Sequence, residues 1–245
     1  MHIIIPARFG ATRLPGKPLR DVGGRPLIAR VCERARASGA GRVVVATDDE
    51  RIVAAVAAHG GEAILTGEQA SGTDRVAEAA RILGLGDEEI IVNLQGDEPL
   101  MPPALLAQVG ARLADDEAAS MATAAHPLHD DTAFASPHVV KVVCDSAGRA
   151  LYFSRAPIPW PRSRADAAAL RHIGLYAYRV GFLRRFRAWG PSPLERCEGL
   201  EQLRALEHGA RIAVVVTPLD PGPGIDTEED LARLRGLWEA GVPSS

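Results

Sequence analysis

Hydrophobic positions along this chain follow two alternating rhythms. Short aliphatic runs, Ile3 to Ile5, Val43 to Ala46, Ala63 to Leu65, Ile90 to Leu94 and Ala213 to Val216, predict strands, the branched ones covered on both faces. Between them lie stretches whose apolar residues return at helical spacing: Pro26 to Ser38, about Glu50 to His59, Ser71 to about Leu83, Pro102 to about Asp116, and a closing helix to about Ala240. Glycines stop the first two, Gly39 with Gly41 and Gly60 with Gly61. Strand and helix in alternation predict a three-layer, Rossmann-like α/β fold on a mainly parallel sheet with right-handed crossovers.

The second half changes character. Met121 to Ala125 is strand-like, His126 to Pro137 reads as loop, and Val139 to Cys144 with Ala150 to Phe153 suggests a hairpin around Asp145 to Gly148. Lys141 projects from its first strand as a candidate phosphate contact. The proline-rich Ser154 to Pro161 cannot be a central strand, and Pro6 is expected to end the pairing of the first one. Arg164 to Arg171 is a polar linker or short helix. His172 to Tyr178 alternates, with His172, Gly174 and Tyr176 on one side and Ile173, Leu175 and Ala177 on the other. Ser192, Pro193 and Glu195 form a helix start with a capping box, after which Glu198 and Gln202 fall one turn apart on the same face. The expected organisation is one domain, with a core of 1–135 and 190–245 and a smaller β-containing lobe of about 136–189.

Composition narrows the function classes. With 245 residues and a formal net charge of −3, a sizeable core can be buried and neither nucleic acid nor an anionic membrane is the expected partner. Three widely spaced cysteines fit reduced thiols, and His126, His129 and His138 match no zinc spacing. No charged-then-apolar leader and no apolar run near the roughly 20 residues of a spanning helix is present, so a cytoplasmic protein is expected.

The candidate chemistry starts where the first strand ends. The loop after it carries Arg8, Arg13 and Lys17 with Gly10 and Gly16, cations beside backbone that can approach a polyphosphate. It is not a Walker A loop, because five residues separate Gly10 from the Gly16-Lys17 pair and Pro18 follows the lysine. Ligands of open α/β sheets gather at the carboxyl ends of strands, where this loop lies. Gln95-Gly96-Asp97-Glu98-Pro99 leaves another strand at the same end. A carboxylate facing a polyphosphate is repelled unless a divalent ion lies between them, so Asp97 is a candidate magnesium ligand and Glu98 a support of the turn. Ser71 or Thr73 caps a helix that either sets Arg75 on a solvated face or presents it to a ligand. A fixed Arg155 can hold a carboxylate bidentately or stack on Trp160. At the last helix, Asp226 caps with Glu229 or Thr227 caps with Asp230, the second leaving Asp226 free.

The run Pro-Ala-Arg-x-x-x-Thr-Arg-Leu-Pro-Gly-Lys-Pro-Leu, Pro6 to Leu19, resembles the N-terminal signature of the bacterial 3-deoxy-manno-octulosonate (KDO) cytidylyltransferases. Ala-Thr-Asp at 46–48, Ser-Gly-Thr-Asp-Arg at 71–75, Val-Asn-Leu-Gln-Gly-Asp-Glu-Pro at 92–99, Tyr-Phe-Ser-Arg-Ala-Pro-Ile-Pro-Trp at 152–160 and Gly-Ile-Asp-Thr-Glu-Glu-Asp-Leu at 224–231 agree in order over nearly the whole chain. The resemblance implies a nucleotidyltransferase-like fold and transfer of CMP from CTP to KDO, giving CMP-KDO and pyrophosphate for lipopolysaccharide synthesis in a homodimer. It implies nucleotide contacts at Pro6, Ala7, Arg8, Arg13, Lys17, Ser71, Gly72, Arg75, Gln95 and Asp97. It further implies catalysis by Arg13, Lys17, Asp97 and Asp226, magnesium on Asp97 and Asp226, and sugar contacts at Arg155, His172, Tyr176, Glu198 and Gln202. The segment 164–171 is shorter than the family leads one to expect. Rival readings are a cytidylyltransferase for 8-amino-KDO or a sialic acid, a glycosyltransferase of similar fold, which leaves the triphosphate loop without a purpose, and a noncatalytic nucleotide-sugar sensor.

Overall fold

In the computed structural model, which describes residues 1–10, 13–163 and 169–241, the aliphatic runs form strands and the amphipathic stretches form helices. The first half runs β1 (His2–Ala7), a small hairpin β2 (Asp21–Val22) and β3 (Arg25–Pro26), α1 (Leu27–Ala37), β4 (Arg42–Thr47), α2 (Glu50–Ala58), β5 (Glu62–Leu65), α3 (Gly72–Ile82), β6 (Ile90–Asn93) and α4 (Pro103–Ala114). The second runs β7 (Met121–Leu128), α5 (Asp131–Ala135), β8 (Lys141–Cys144), β9 (Ala150–Ser154), β10 (Ala169–Arg179), α6 (Val180–Ala188), α7 (Pro193–Glu198), α8 (Gln202–Glu207), β11 (Ile212–Val216) and α9 (Glu228–Glu239).

The main sheet has the order β11-β7-β10-β6-β1-β4-β5, with β8 on β10 and β9 on β8. β6, β1, β4 and β5 pair in parallel and β11 is parallel to β7, while β10 runs antiparallel to both its neighbours. Alternation along β1 sends Ile3 and Ile5 into one core with Ile28, Ile52 and Leu105, and Ile4 into another with Val76, Phe182 and Leu203. That division makes three layers. No helix among the described residues is long and apolar enough to cross a membrane.

Several local expectations change. Pro6 does not end β1: Pro6 pairs with Ala46 and Ala7 with Thr47. Ile4 already accepts from Leu94 N on the β6 side, so the N–H that Pro6 lacks falls on that side too, past the last β6 pair. The segment expected as loop after Ala125 continues β7 to Leu128 and then forms α5. Ala169 to Arg171 belong to β10, whereas the rest of the expected linker, 164–168, lies outside the described residues. In β10 the register shifts between Ile173 and Tyr176, which interrupts the simple alternation there. The capping box at Ser192 forms, but Gly199 at φ 63 ends α7, so Glu198 and Gln202 lie on two helices rather than on one face.

Just past α4, Asp116 accepts from Arg149 Nε and Nη2 at 2.9 and 2.8 Å and from Arg112 Nη1 at 3.2 Å, tying that helix to the β8–β9 hairpin. The Arg149 guanidinium holds the carboxyl well below its ordinary value of 3.8, at about 2. A carboxylate with a depressed folded value stabilises fully above the unfolded value and loses that contribution as pH falls through the folded one. Asp116→Asn is expected to cost about 1–2 kcal/mol at pH 7, with the difference from wild type narrowing between about pH 4 and pH 2. Urea unfolding at several pH values measures it; a pH-independent difference contradicts the pairing.

Candidate active site

Three segments converge where the parallel strands end: the loop after β1, the first turn of α3 and the turn after β6. Together with Asp226, which precedes α9, they enclose a cavity of about 330 Å³. Gly16 opens the single turn Lys17–Leu19 at φ 67, a left-handed backbone that favours glycine, and its amide donates to Phe9 O at 3.2 Å to close the loop. At Gly96 a β-carbon would lie 2.9 Å from the Pro6 carbonyl, so its absence lets the turn after β6 press against the end of β1. Asp226 is brought in by its neighbour: Ile225 is buried with Leu14, Leu27 and Leu231, and its amide donates to Asp97 O at 2.9 Å. Thr227 caps α9 in a capping box with Asp230, which leaves the Asp226 carboxylate to the cavity.

Electrostatics concentrate on that carboxylate pair. Lys17 Nζ donates to Asp97 Oδ2 at 2.7 Å and to Asp226 Oδ1 at 3.1 Å, and Arg13 Nη2 donates to Asp226 Oδ2 at 2.9 Å. One compact cation thus bridges two hard oxygen donors from opposite walls. Among the described residues no group of three or more His, Cys, Asp and Glu side chains is arranged to hold a metal, so any ion here takes its remaining ligands from substrate and water.

At the other wall, Ser71 caps α3 by accepting from Asp74 N, and the helix points its N-terminal end at the cavity, a favourable place for an anion. Arg75 is not on a solvated face. It is 4% exposed, with Nη2 on Asp48 Oδ2 and Nη1 on Thr66 Oγ1, both at 2.6 Å. Glu98 supports the turn through its backbone, donating to Gln95 O and accepting from Met101 N. Burial beside Asp97 pushes its carboxyl up to about 8.

All ten candidate nucleotide residues, Pro6, Ala7, Arg8, Arg13, Lys17, Ser71, Gly72, Arg75, Gln95 and Asp97, line the cavity, and Asp226 does so with them. None of the five candidate sugar residues lines it. They form two groups on the α3 side of the sheet. In one, Glu198 accepts from Ser154 Oγ at 2.6 Å and Arg155 N at 2.9 Å, while Arg155 Nε donates to Glu198 O at 2.7 Å. In the other, His172 and Tyr176 stand with ring centroids 5.5 Å apart, and His172 Nε2 meets Thr123 Oγ1 at 2.9 Å. Burial lowers the His172 value to about 3, so the imidazole is neutral. Gln202 is 5% exposed and its buried Nε2 has no partner among the described residues. Two links join these groups to the cavity walls: Thr73 Oγ1 in α3 donates to Glu201 Oε1 at 2.5 Å, and Tyr176 pairs with Asn93 two residues before Gln95.

Sequence reasoning overlooked Asp48 as the partner of Arg75, and Gln69 and Ala70 as cavity walls. Asp48 belongs to the Ala-Thr-Asp motif at 46–48, but nothing in the local sequence pairs it with Arg75. Lys141 does not reach a phosphate; it is fully buried. The thiols of Cys32 and Cys144 are pushed up to about 11, chiefly by burial, and stay protonated at neutral pH.

Residues 2–212 match the family model described as cytidylyltransferase. The chain is 55% identical over 247 aligned residues to the 3-deoxy-manno-octulosonate cytidylyltransferase of Methylibium petroleiphilum, covering 96% of this chain and 94% of that protein. It superposes with a TM-score of 0.91 on a solved CMP:2-keto-3-deoxy-manno-octonic acid synthetase complexed with CTP, at 43% identity and over 98% of both chains. A cytidylyltransferase from Leptospira borgpetersenii serovar Hardjo-bovis, 19% identical with a TM-score of 0.65 over 97% of this chain and 86% of that one, shares the fold.

Proposed function

This chain belongs to the 3-deoxy-manno-octulosonate cytidylyltransferase family, and on that premise we propose that its cavity joins CTP to KDO, releasing pyrophosphate and forming CMP-KDO. The observation that carries the proposal is the meeting of the cationic loop after β1 with Asp97 and Asp226 across one cavity. A triphosphate needs the cations, and the two carboxylates need a positive ion before they can face it.

In this reading Arg13 and Lys17 hold the triphosphate and Arg8 lines its approach. The amino end of α3, with Ser71, Gly72 and Arg75, faces the nucleoside together with Gln95, while Pro6 and Ala7 supply backbone wall. Arg155, His172, Tyr176, Glu198 and Gln202 form the sugar side. The sugar's anomeric oxygen attacks the α-phosphorus in line with the departing pyrophosphate, so one P–O bond forms as another breaks. Positioning and charge carry most of the acceleration. Asp97 and Asp226 fit a magnesium ion, because one cation already contacts an oxygen of each within 3.1 Å. When bound, magnesium polarises the α-phosphate and lowers the proton affinity of the attacking hydroxyl. With such an ion held by Asp97 and Asp226, Lys17 would be left to hold the phosphates.

The same reading assigns the chain to the cytoplasm, to lipopolysaccharide synthesis and to a homodimer. The test is pyrophosphate release from CTP with KDO, its 8-amino analogue and N-acetylneuraminate offered separately, in magnesium and in EDTA. Turnover with KDO that EDTA abolishes and magnesium restores is expected. Full activity in EDTA removes the metal from the account. Preference for another sugar keeps the nucleotide site and overturns the sugar assignment, and CTP binding with no turnover favours a sensor.

A further inference from the structure

Of the 28 lysines and arginines in the chain only Lys17 and Lys141 are lysines. Lys17 bridges two carboxylates, and Lys141 occupies an unlike environment. Its side chain is 0% exposed, and none of its hydrogen bonds goes to a carboxylate, Glu198 acting on it only through space. Nζ instead donates to three backbone carbonyls: Ser136 O at 2.9 Å, Val139 O at 2.6 Å and Arg155 O at 2.6 Å. An ammonium has three donors in tetrahedral array, and all three are used. A planar guanidinium cannot converge on three carbonyls around one point, which gives a physical reason for lysine here in an arginine-rich chain.

Those carbonyls matter for what surrounds Arg155. Its guanidinium rests on two backbone oxygens, Nε on Glu198 O at 2.7 Å and Nη1 on Pro137 O at 2.9 Å. Pro137 lies inside the segment whose Ser136 and Val139 carbonyls Lys141 gathers. The Arg155 backbone is pinned at both ends, its N–H on Glu198 Oε2 and its C=O on Lys141 Nζ. One buried ammonium therefore fixes both the strand end that bears the guanidinium and the loop that orients it. Nη2 has no hydrogen bond among the described residues, and it is the edge left for a ligand. With Lys141 and Arg155 positive and Glu198 negative, the cluster carries a net positive charge suited to a carboxylate.

We propose that Lys141 is a positioning residue of the acid-sugar subsite, holding the Arg155 guanidinium in the orientation that receives the sugar's carboxylate. This rests on the reading of Arg155 as a sugar residue. A buried cation gathering carbonyls can also act only as a structural tie, and the two roles separate kinetically. A structural tie lowers thermal stability and active fraction for both substrates alike. Positioning through Arg155 raises KM for the sugar alone and leaves KM for CTP unchanged.

The experiment compares wild type, Lys141→Met, Lys141→Arg, Arg155→Ala and the Lys141→Met/Arg155→Ala double variant, varying each substrate with the other saturating. The expected result is a sugar KM raised tenfold or more in Lys141→Met, partly recovered in Lys141→Arg, with CTP KM within twofold. In the Arg155→Ala background Lys141→Met adds no further rise. Equal rises for both substrates, or full additivity, overturn the proposal. An unchanged sugar KM in Arg155→Ala instead overturns the underlying sugar reading. Should the Lys141 variants fail to fold, the two-lysine composition allows a direct readout in wild type. With isotope-labelled lysine, the Lys141 signal should shift on adding KDO and not CTP, the Lys17 variant assigning the other signal. A Lys141 signal indifferent to the sugar overturns the proposal.

Discussion

Asp97→Asn is expected to lower turnover by about three orders of magnitude and to leave the melting transition in place. The substitution is nearly isosteric, so it changes charge and metal affinity rather than shape. Asp97 faces Lys17 Nζ at 2.7 Å with its side chain, whereas its turn is held by backbone bonds, Glu98 N to Gln95 O and Ile225 N to Asp97 O. Folding therefore survives. On the proposed assignment of magnesium to Asp97 and Asp226, removing one of these two carboxylates is expected to sacrifice several kcal/mol of charge stabilisation, and about 4 kcal/mol corresponds to a thousandfold. Asp226→Asn acts in the same direction. Steady-state pyrophosphate release and thermal melting measure both, and wild-type turnover in both variants would remove the metal assignment.

The second large effect falls on Lys17. Lys17→Met leaves Asp97 and Asp226 facing each other without the ammonium between them and, in the proposed arrangement, would deprive the triphosphate of a cation. Loss of one preorganised charge contact of this kind costs about 10²–10³ in rate. The loss appears in kcat/KM for CTP, with the KM for CTP raised. Lys17→Arg is expected to recover little of it, because a planar guanidinium fork does not present its charge to phosphate oxygens as a compact ammonium does in a site narrow enough to hold Nζ 2.7 and 3.1 Å from Asp97 and Asp226. Arginine fully replacing lysine would mean that the position requires only positive charge.

The parallel half of the fold and the cavity at its strand ends were legible in the sequence for one physical reason. Buried parallel strands read as continuous aliphatic runs, and the ligand-bearing turns follow them directly. The Gly96 turn and the cation loop after β1 could therefore be placed from local pattern alone. The antiparallel half was harder. β10 carries a bulge and β7 runs on past its aliphatic stretch into His126, Pro127 and Leu128, so period and composition both understate the strands. Gly199 split a helix that periodicity alone made continuous. Long-range polar pairs left no local trace. Arg75 with Asp48, and Lys141 with three carbonyls, depend on segments that meet only after folding.

The central claim is that the cavity brings an acid sugar's anomeric oxygen to the α-phosphorus of CTP. KDO carrying ¹⁸O at the anomeric position tests it most directly, with the product and pyrophosphate analysed by mass spectrometry. The expected result is ¹⁸O in the bridge between CMP and sugar and none in pyrophosphate. Label in pyrophosphate, a bridge lacking ¹⁸O while the recovered sugar keeps it, or no nucleotide sugar at all would contradict it.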